Sequence, residues 1–222
     1  MNTHHPIFLP TSQPDSVLLK RLSVVQSVCL AAAGLIAALI LLAWLFKGIR
    51  PGYPDGWYLM KFDTASGMLL SAVSLGLLSA SPHPVRVWMG RAAALLVLLL
   101  AVVALYEHIS GQPTGLDTLI VADTTSDKPG LMSTQTALYL LLIAASLLLA
   151  SIPNEVLGIA VAALTVLLAL HALIIFSGYC FNAAQLFGQS MSTRTSPHTL
   201  ACMLLLAVGL TSWRMQQGYF RR

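Results

Sequence analysis

The chain has 222 residues, 57% of them apolar and 9% charged, with a formal net charge of +4 and a mean hydropathy of +0.79. Soluble domains carry charge on roughly a quarter of their residues, so this composition excludes an ordinary water-soluble globule and makes lipid the expected solvent. No nucleic-acid partner is expected, and the three cysteines, Cys29, Cys180 and Cys202, show neither metal-ligand nor redox spacing.

The first predicted element is the apolar run 24–46. It follows Lys20 and Arg21 as a secretory signal would, but it is longer than a signal core and lacks a cleavage end, so it is expected to remain as an anchor. The run 64–80 is short and rich in Ser66, Gly67, Ser71, Ala72, Ser74, Gly76 and Ser79, a composition that suits close packing at the centre of a bundle. The run 87–106 holds one charge, Arg91, near enough to its start for the guanidinium to reach the headgroups. The runs 133–152, 156–176 and 197–213 follow; in the fifth, Gly158 and Ala162 are expected to form a contact strip. Each run approaches the ~20 residues of a helical span, and each is continuously apolar instead of alternating, which favours helices over a barrel.

The expected architecture is therefore an all-α integral membrane protein of six transmembrane helices. Residues 1–23 form a cytoplasmic segment, 24–213 the membrane domain and 214–222 a basic tail. Seven Lys and Arg residues fall on the side of both termini and five on the other, which places the termini in the cytoplasm by the positive-inside rule. The inner connections are short and turn-like. The outer ones run about 17, 26 and 20 residues, a length that points to function on the outer face.

Each outer loop reaches its next helix through a related string: Met60-Lys61-Phe62-Asp63-Thr64-Ala65, Met132-Ser133-Thr134-Gln135-Thr136-Ala137, and Ser196-Pro197-His198-Thr199-Leu200-Ala201. The unit of helix, outer loop and threonine-led helix predicts three parallel two-helix repeats about an axis along the membrane normal. Ser196 before Pro197, and Ser133 or Thr134, are expected helix caps. Three helix starts in one leaflet would present backbone N–H groups and positive dipole ends, with Thr64, Thr136 and Thr199 as hydroxyl donors to an anionic head. The simpler alternative is that each threonine satisfies its own helix.

The remaining polar candidates are His171 inside the fifth run, Glu107 and His108 at the end of the third, Asp117 in the following loop, and His198 at the start of the sixth. An ionisable side chain at membrane depth is a functional candidate by default. His171 with His198 or His108 supplies the residue types for haem ligation, and His108, His198 and Glu107 those for zinc, without a diagnostic spacing for either. No Walker loop, nucleophile elbow or Rossmann glycine run occurs, so an enzyme is not expected.

The segments Leu105-Tyr106-Glu107-His108, Gly115-Leu116-Asp117, 132–138, Gly178-Tyr179 to Phe187-Gly188, and His198-Thr199 resemble the multi-helix N-terminal membrane sensor regions (MASE-like) of bacterial PAS-containing histidine kinases and diguanylate cyclases, over about residues 30–215. The third copy departs from the pattern, with Thr199-Leu200 in place of Thr-Ala and Met191 further upstream, and the 222 residues hold no kinase, cyclase or PAS segment. The resemblance implies a sensory module of the bacterial inner membrane, taking part in signal transduction of the two-component type. It would bind a small amphipathic or anionic ligand in the outer-leaflet half and relay to the C-terminus. The chain is expected to contact membrane lipid and to act alone, as a homodimer or within a larger complex. The alternatives are a redox or proton-handling subunit with bound haem or quinone, and a structural accessory subunit.

Overall fold

A computed structural model describes residues 16–46, 60–80, 83–115, 120–121, 129–152, 154–181 and 195–220. These form six α-helices: α1 Ser16–Leu45, α2 Phe62–Ser79, α3 Pro84–Ser110, α4 Thr134–Ala150, α5 Glu155–Cys180 and α6 Pro197–Phe220. Five are long and apolar enough to cross a membrane; α4, with 17 residues, is apolar but shorter. Its last turn closes on Ser151, and Asn154 caps α5 by accepting from the Val156 and Leu157 N–H groups, so the turn between the two helices leaves no room for another helical turn. At the chain's two ends the helices overrun the apolar runs, α1 beginning at Ser16 and α6 continuing past Trp213.

Neighbours in sequence are neighbours in space, and α1 closes the circuit against α6. Successive helices run in opposite directions: Ser74 near the end of α2 bonds Gly90 near the start of α3 (2.8 Å), and Arg214 near the end of α6 reaches Gly158 near the start of α5 (3.1 Å). One end of the bundle thus holds the start of α1 and the end of α6, joined by a Gln216–Gln26 bond of 2.9 Å. The far end gathers the starts of α2, α4 and α6.

The even-numbered helices lie inside. α2 packs against α1, α3, α4 and α6, and α4 and α6 stand further apart, bridged by Tyr139, whose hydroxyl donates to the Met203 carbonyl at 2.6 Å. The odd-numbered helices bury narrow stripes at spacings of three and four: Cys29, Ala33, Ala37, Ile40 and Trp44 on α1, and Gly90, Ala93, Ala94, Val97, Ala101 and Ala104 on α3. Their outward faces carry large apolar side chains such as Leu35, Leu95, Leu99, Leu167 and Leu170. Small residues inside and large apolar ones outside is the arrangement lipid favours, since close backbone approach replaces the hydrophobic effect as the packing force, and so much exposed apolar surface has no counterpart on soluble monomers.

The contact strip of α5 differs from expectation. It runs through Val161, Thr165, Leu168, Ala172, Ile175 and Gly178, and Ala162 is exposed. The phase of the helix is set by that longer stripe, which half-buried Gly158, three residues before Val161 and bonded by Arg214 of α6, extends and Ala162 does not share.

Candidate functional site: the polar layer at the far end

The three inner helices start alike. Lys61, Ser133 and Ser196 each have a carbonyl that accepts the first intrahelical bond, from Ala65, Ala137 and Leu200 respectively, at 2.9–3.0 Å. At α4 and α6 the serine is also a side-chain cap: Ser133 Oγ accepts from the Thr136 N–H and Ser196 Oγ from the Thr199 N–H, both at 3.2 Å. The threonine hydroxyls turn back onto the same serines, at 2.7 Å for Ser133–Thr136 and 2.8 Å for Ser196–Thr199. At α2 the cap position is Lys61, which makes no side-chain cap bond. Thr64, Thr136 and Thr199 are all buried.

Hydroxyls also join two of the starts. Ser133 Oγ lies 2.9 Å from Thr195 Oγ1, so α4 and α6 meet at their N-termini through a buried Ser/Thr cluster. Ser133, Thr136 and Thr195 bring three O–H donors to two mutual contacts, and Ser196 and Thr199 bring two to one. Each group therefore retains one O–H beyond those bonds.

Just before each inner helix, one backbone carbonyl is held by the end of the preceding outer helix. Trp44 Nε1 donates to Met60 O at 2.9 Å and His108 Nε2 to Met132 O at 2.8 Å, while the Tyr179 hydroxyl donates to Thr195 O. Met60, Met132 and Thr195 occupy the same register, one residue ahead of Lys61, Ser133 and Ser196. An indole, an imidazole and a phenol thus do the same work at three places. Because a carbonyl can only accept, the His108 bond fixes a proton on Nε2.

The three buried charged residues among those described, Lys61, Asp63 and Glu107, all lie in this layer, each 6–8% exposed. Burying charge is costly unless it is paired and hydrogen-bonded, and Glu107 is: its Oε1 accepts from the Thr114 N–H at 2.6 Å and from the Thr114 hydroxyl. That bond folds residues 111–114 back over the end of α3, a turn opened by Gly111 at φ +68°. Asp63 sits in the first turn of α2, where a carboxylate complements the helix dipole. The carboxylates belong to the α2–α3 side. The α4–α6 starts carry hydroxyls.

The other candidates are more dispersed. His171 on α5 is half-buried and donates from Nε2 to the Gln135 carbonyl on α4 at 2.9 Å, with its ring 6.4 Å from that of Tyr139. His198 is half-buried in the first turn of α6. Asp117 lies outside the described residues. Among the described residues no group of three or more His, Cys, Asp or Glu side chains is placed to hold a metal ion. Trp44, Tyr179, Thr195 and Lys61 enter the layer without having been expected as site residues; the signals for them were the comparable ends of the preceding helices, which carry Trp44 and Tyr179, and Lys61 standing where the other two strings have serine. Comparison of the chain with protein-family models, with curated proteins and with solved structures gives no match.

Proposed function

We propose that the chain is a membrane-embedded sensory module that binds the polar head of a small amphipathic or anionic molecule between the starts of α4 and α6. In this reading the chain spans the bilayer six times as three parallel two-helix repeats, with the termini in the cytoplasm and the polar layer in the outer leaflet of a bacterial inner membrane. The observation that carries it is the concentration of buried polarity, including all three buried charges among the described residues, at one end of the bundle: Lys61, Asp63, Thr64, Glu107, Ser133, Thr136, Thr195, Ser196 and Thr199. The head is assigned to the α4–α6 side because two helix N-termini and the remaining hydroxyl donors meet there, without a carboxylate among the described residues. The repeat is supported by the shared register of the Trp44, His108 and Tyr179 bonds.

Relay to the other end follows from stiffness. α6 runs from Pro197 in the polar layer to Phe220, and near its end it bonds α5 through Arg214 and α1 through Gln216. A head that binds one arrangement of the α4 and α6 starts better than another would bias a packed, two-state bundle and shift the end of α6.

Native mass spectrometry of the protein purified in mild detergent tests the binding step. The wild type is expected to carry a non-covalent small-molecule adduct, and the Thr136→Val/Thr199→Val double variant to lose it while keeping its helical circular dichroism. Absence of an adduct from the wild type, or its persistence in the folded double variant, would refute the assignment.

A further inference from the structure

At the opposite end, Arg91 is the eighth residue of α3, a helix of 27 residues. At ~1.5 Å per residue such a helix exceeds a hydrocarbon core of ~30 Å, so its first turns lie at headgroup depth. The shorter α4 ends beside it. Arg91 Nε donates to Ser151 Oγ at 2.9 Å and Nη2 to the Ser151 carbonyl at 2.8 Å, which sets a positive charge on the negative end of the α4 dipole. The guanidinium carbon also lies 5.7 Å from the centre of the Trp88 ring.

All of these partners are neutral. Among the described residues no carboxylate forms an ion pair with Arg91, so the α4 C-terminus and the indole offer it partial negative charge and no full anion. The two bonds to Ser151 occupy only two of the five N–H donors of the guanidinium. At headgroup depth a guanidinium with three N–H donors not bonded to the protein is placed to meet an anion from outside it. The side chains beside it say which kind: Trp88, 69% exposed, then Leu95, Leu99 and Val102, also exposed, continue along the same face of α3 at spacings of three and four. An apolar strip leading away from a fixed guanidinium matches a molecule with an anionic head and a long hydrocarbon chain.

We infer that Arg91 and Trp88 form a binding site for one phospholipid with an anionic head, the head on the free donors of Arg91 and an acyl chain along Leu95, Leu99 and Val102. An arginine suits this role because its planar fork meets phosphate oxygens in pairs. Lys20, Arg21, Arg86 and Arg214 stand at the same end, where Glu155 is the one described carboxylate, but Lys20 and Arg21 lie on α1 and not on the α3 face that carries Trp88, Leu95, Leu99 and Val102. The site is independent of the polar layer at the far end.

The test is lipid retention after reconstitution into nanodiscs of equal mole fractions of phosphatidylglycerol and phosphatidylcholine, with bound lipid counted by native mass spectrometry. The wild type is expected to retain phosphatidylglycerol over phosphatidylcholine by about five-fold, the effect of one basic residue at the membrane surface. Arg91→Gln should bring the ratio to parity, and Arg91→Lys, which keeps the charge, should hold it above parity. Trp88→Leu, which leaves the Ser151 bonds in place, should lower the ratio, and Lys20→Gln/Arg21→Gln should leave it unchanged. Parity in the wild type overturns the site. So does an unchanged ratio in Trp88→Leu, whether or not Arg91→Gln folds, and so does loss of the preference in the Lys20→Gln/Arg21→Gln control.

Discussion

Gly90 and Gly67 mark places where a neighbouring helix leaves no room for a side chain. A Cβ at Gly90 would lie 2.8 Å from Leu78 Cγ and 3.4 Å from the Ser74 carbonyl, and one at Gly67 would lie 2.7 Å from Leu140 Cδ1. The first contact is with a branch point and a backbone atom, neither of which can step aside; the second is with a terminal methyl that can. Gly90→Ala is therefore expected to lose about 1–3 kcal/mol to overpacking, offset in part by the ~1 kcal/mol that alanine gains over glycine in a helix, and to lower the thermal midpoint in detergent more than Gly67→Ala does. Gly218→Ala, with nothing within 4 Å, should not lower it. An equal fall in all three would show that close approach is not what these glycines provide. Gly67 was conspicuous in the sequence because it sits among other small residues. Gly90 was not, because a lone glycine in a Leu/Ala/Val run acquires its meaning only from Ser74, sixteen residues away, bonding its carbonyl. The threonines were legible as helix starts, but their ties to Ser133 and Ser196 favour local capping as their first role.

The carbonyl bonds from Trp44, His108 and Tyr179 show what an element gains from its predecessor. Each fixes the chain one residue ahead of an inner helix, across 16, 24 and 16 residues of sequence. The comparable ends of α1, α3 and α5 mark where these donors stand, but no periodicity or composition shows which carbonyl each reaches, since indole, imidazole and phenol share only an N–H or O–H donor. The helices themselves were visible because a membrane span must satisfy its backbone internally over a continuous apolar run. Which face of each turned inward was less visible, because in lipid both faces are apolar and only residue size separates them; Ala162 was misassigned for that reason. The cost of each lost bond should be about 0.5–1.5 kcal/mol, and local. In hydrogen exchange followed by mass spectrometry, Trp44→Phe is expected to speed exchange at the start of α2 and Tyr179→Phe at the start of α6, each leaving the other start unchanged. Faster exchange throughout the bundle would make these bonds part of the global fold instead of separate restraints on three helix starts.

At the scale of the whole molecule, the alternation of helix direction puts the start of α1 and the end of α6 together and the polar layer opposite them. By the positive-inside rule the excess of Lys and Arg on the terminal side predicts that this end faces the cytoplasm, and the cysteines provide a way to measure it. Cys29 and Cys202 are buried between helices, whereas Cys180 is exposed at the far end, where α5 finishes. A membrane-impermeant maleimide is therefore expected to label right-side-out vesicles once, at Cys180, and to leave inverted vesicles unlabelled until they are permeabilised. Cys180→Ser should abolish the signal, and denaturation should expose the two buried thiols. Labelling of inverted vesicles instead would turn the bundle over and place the polar layer in the cytoplasmic leaflet. The buried charges and hydroxyls would then face the cell interior, and an extracellular signal could not be what they receive. Labelling from outside leaves the polar layer open to the environment and the end of α6 open to the cytoplasm, the arrangement a sensory module requires.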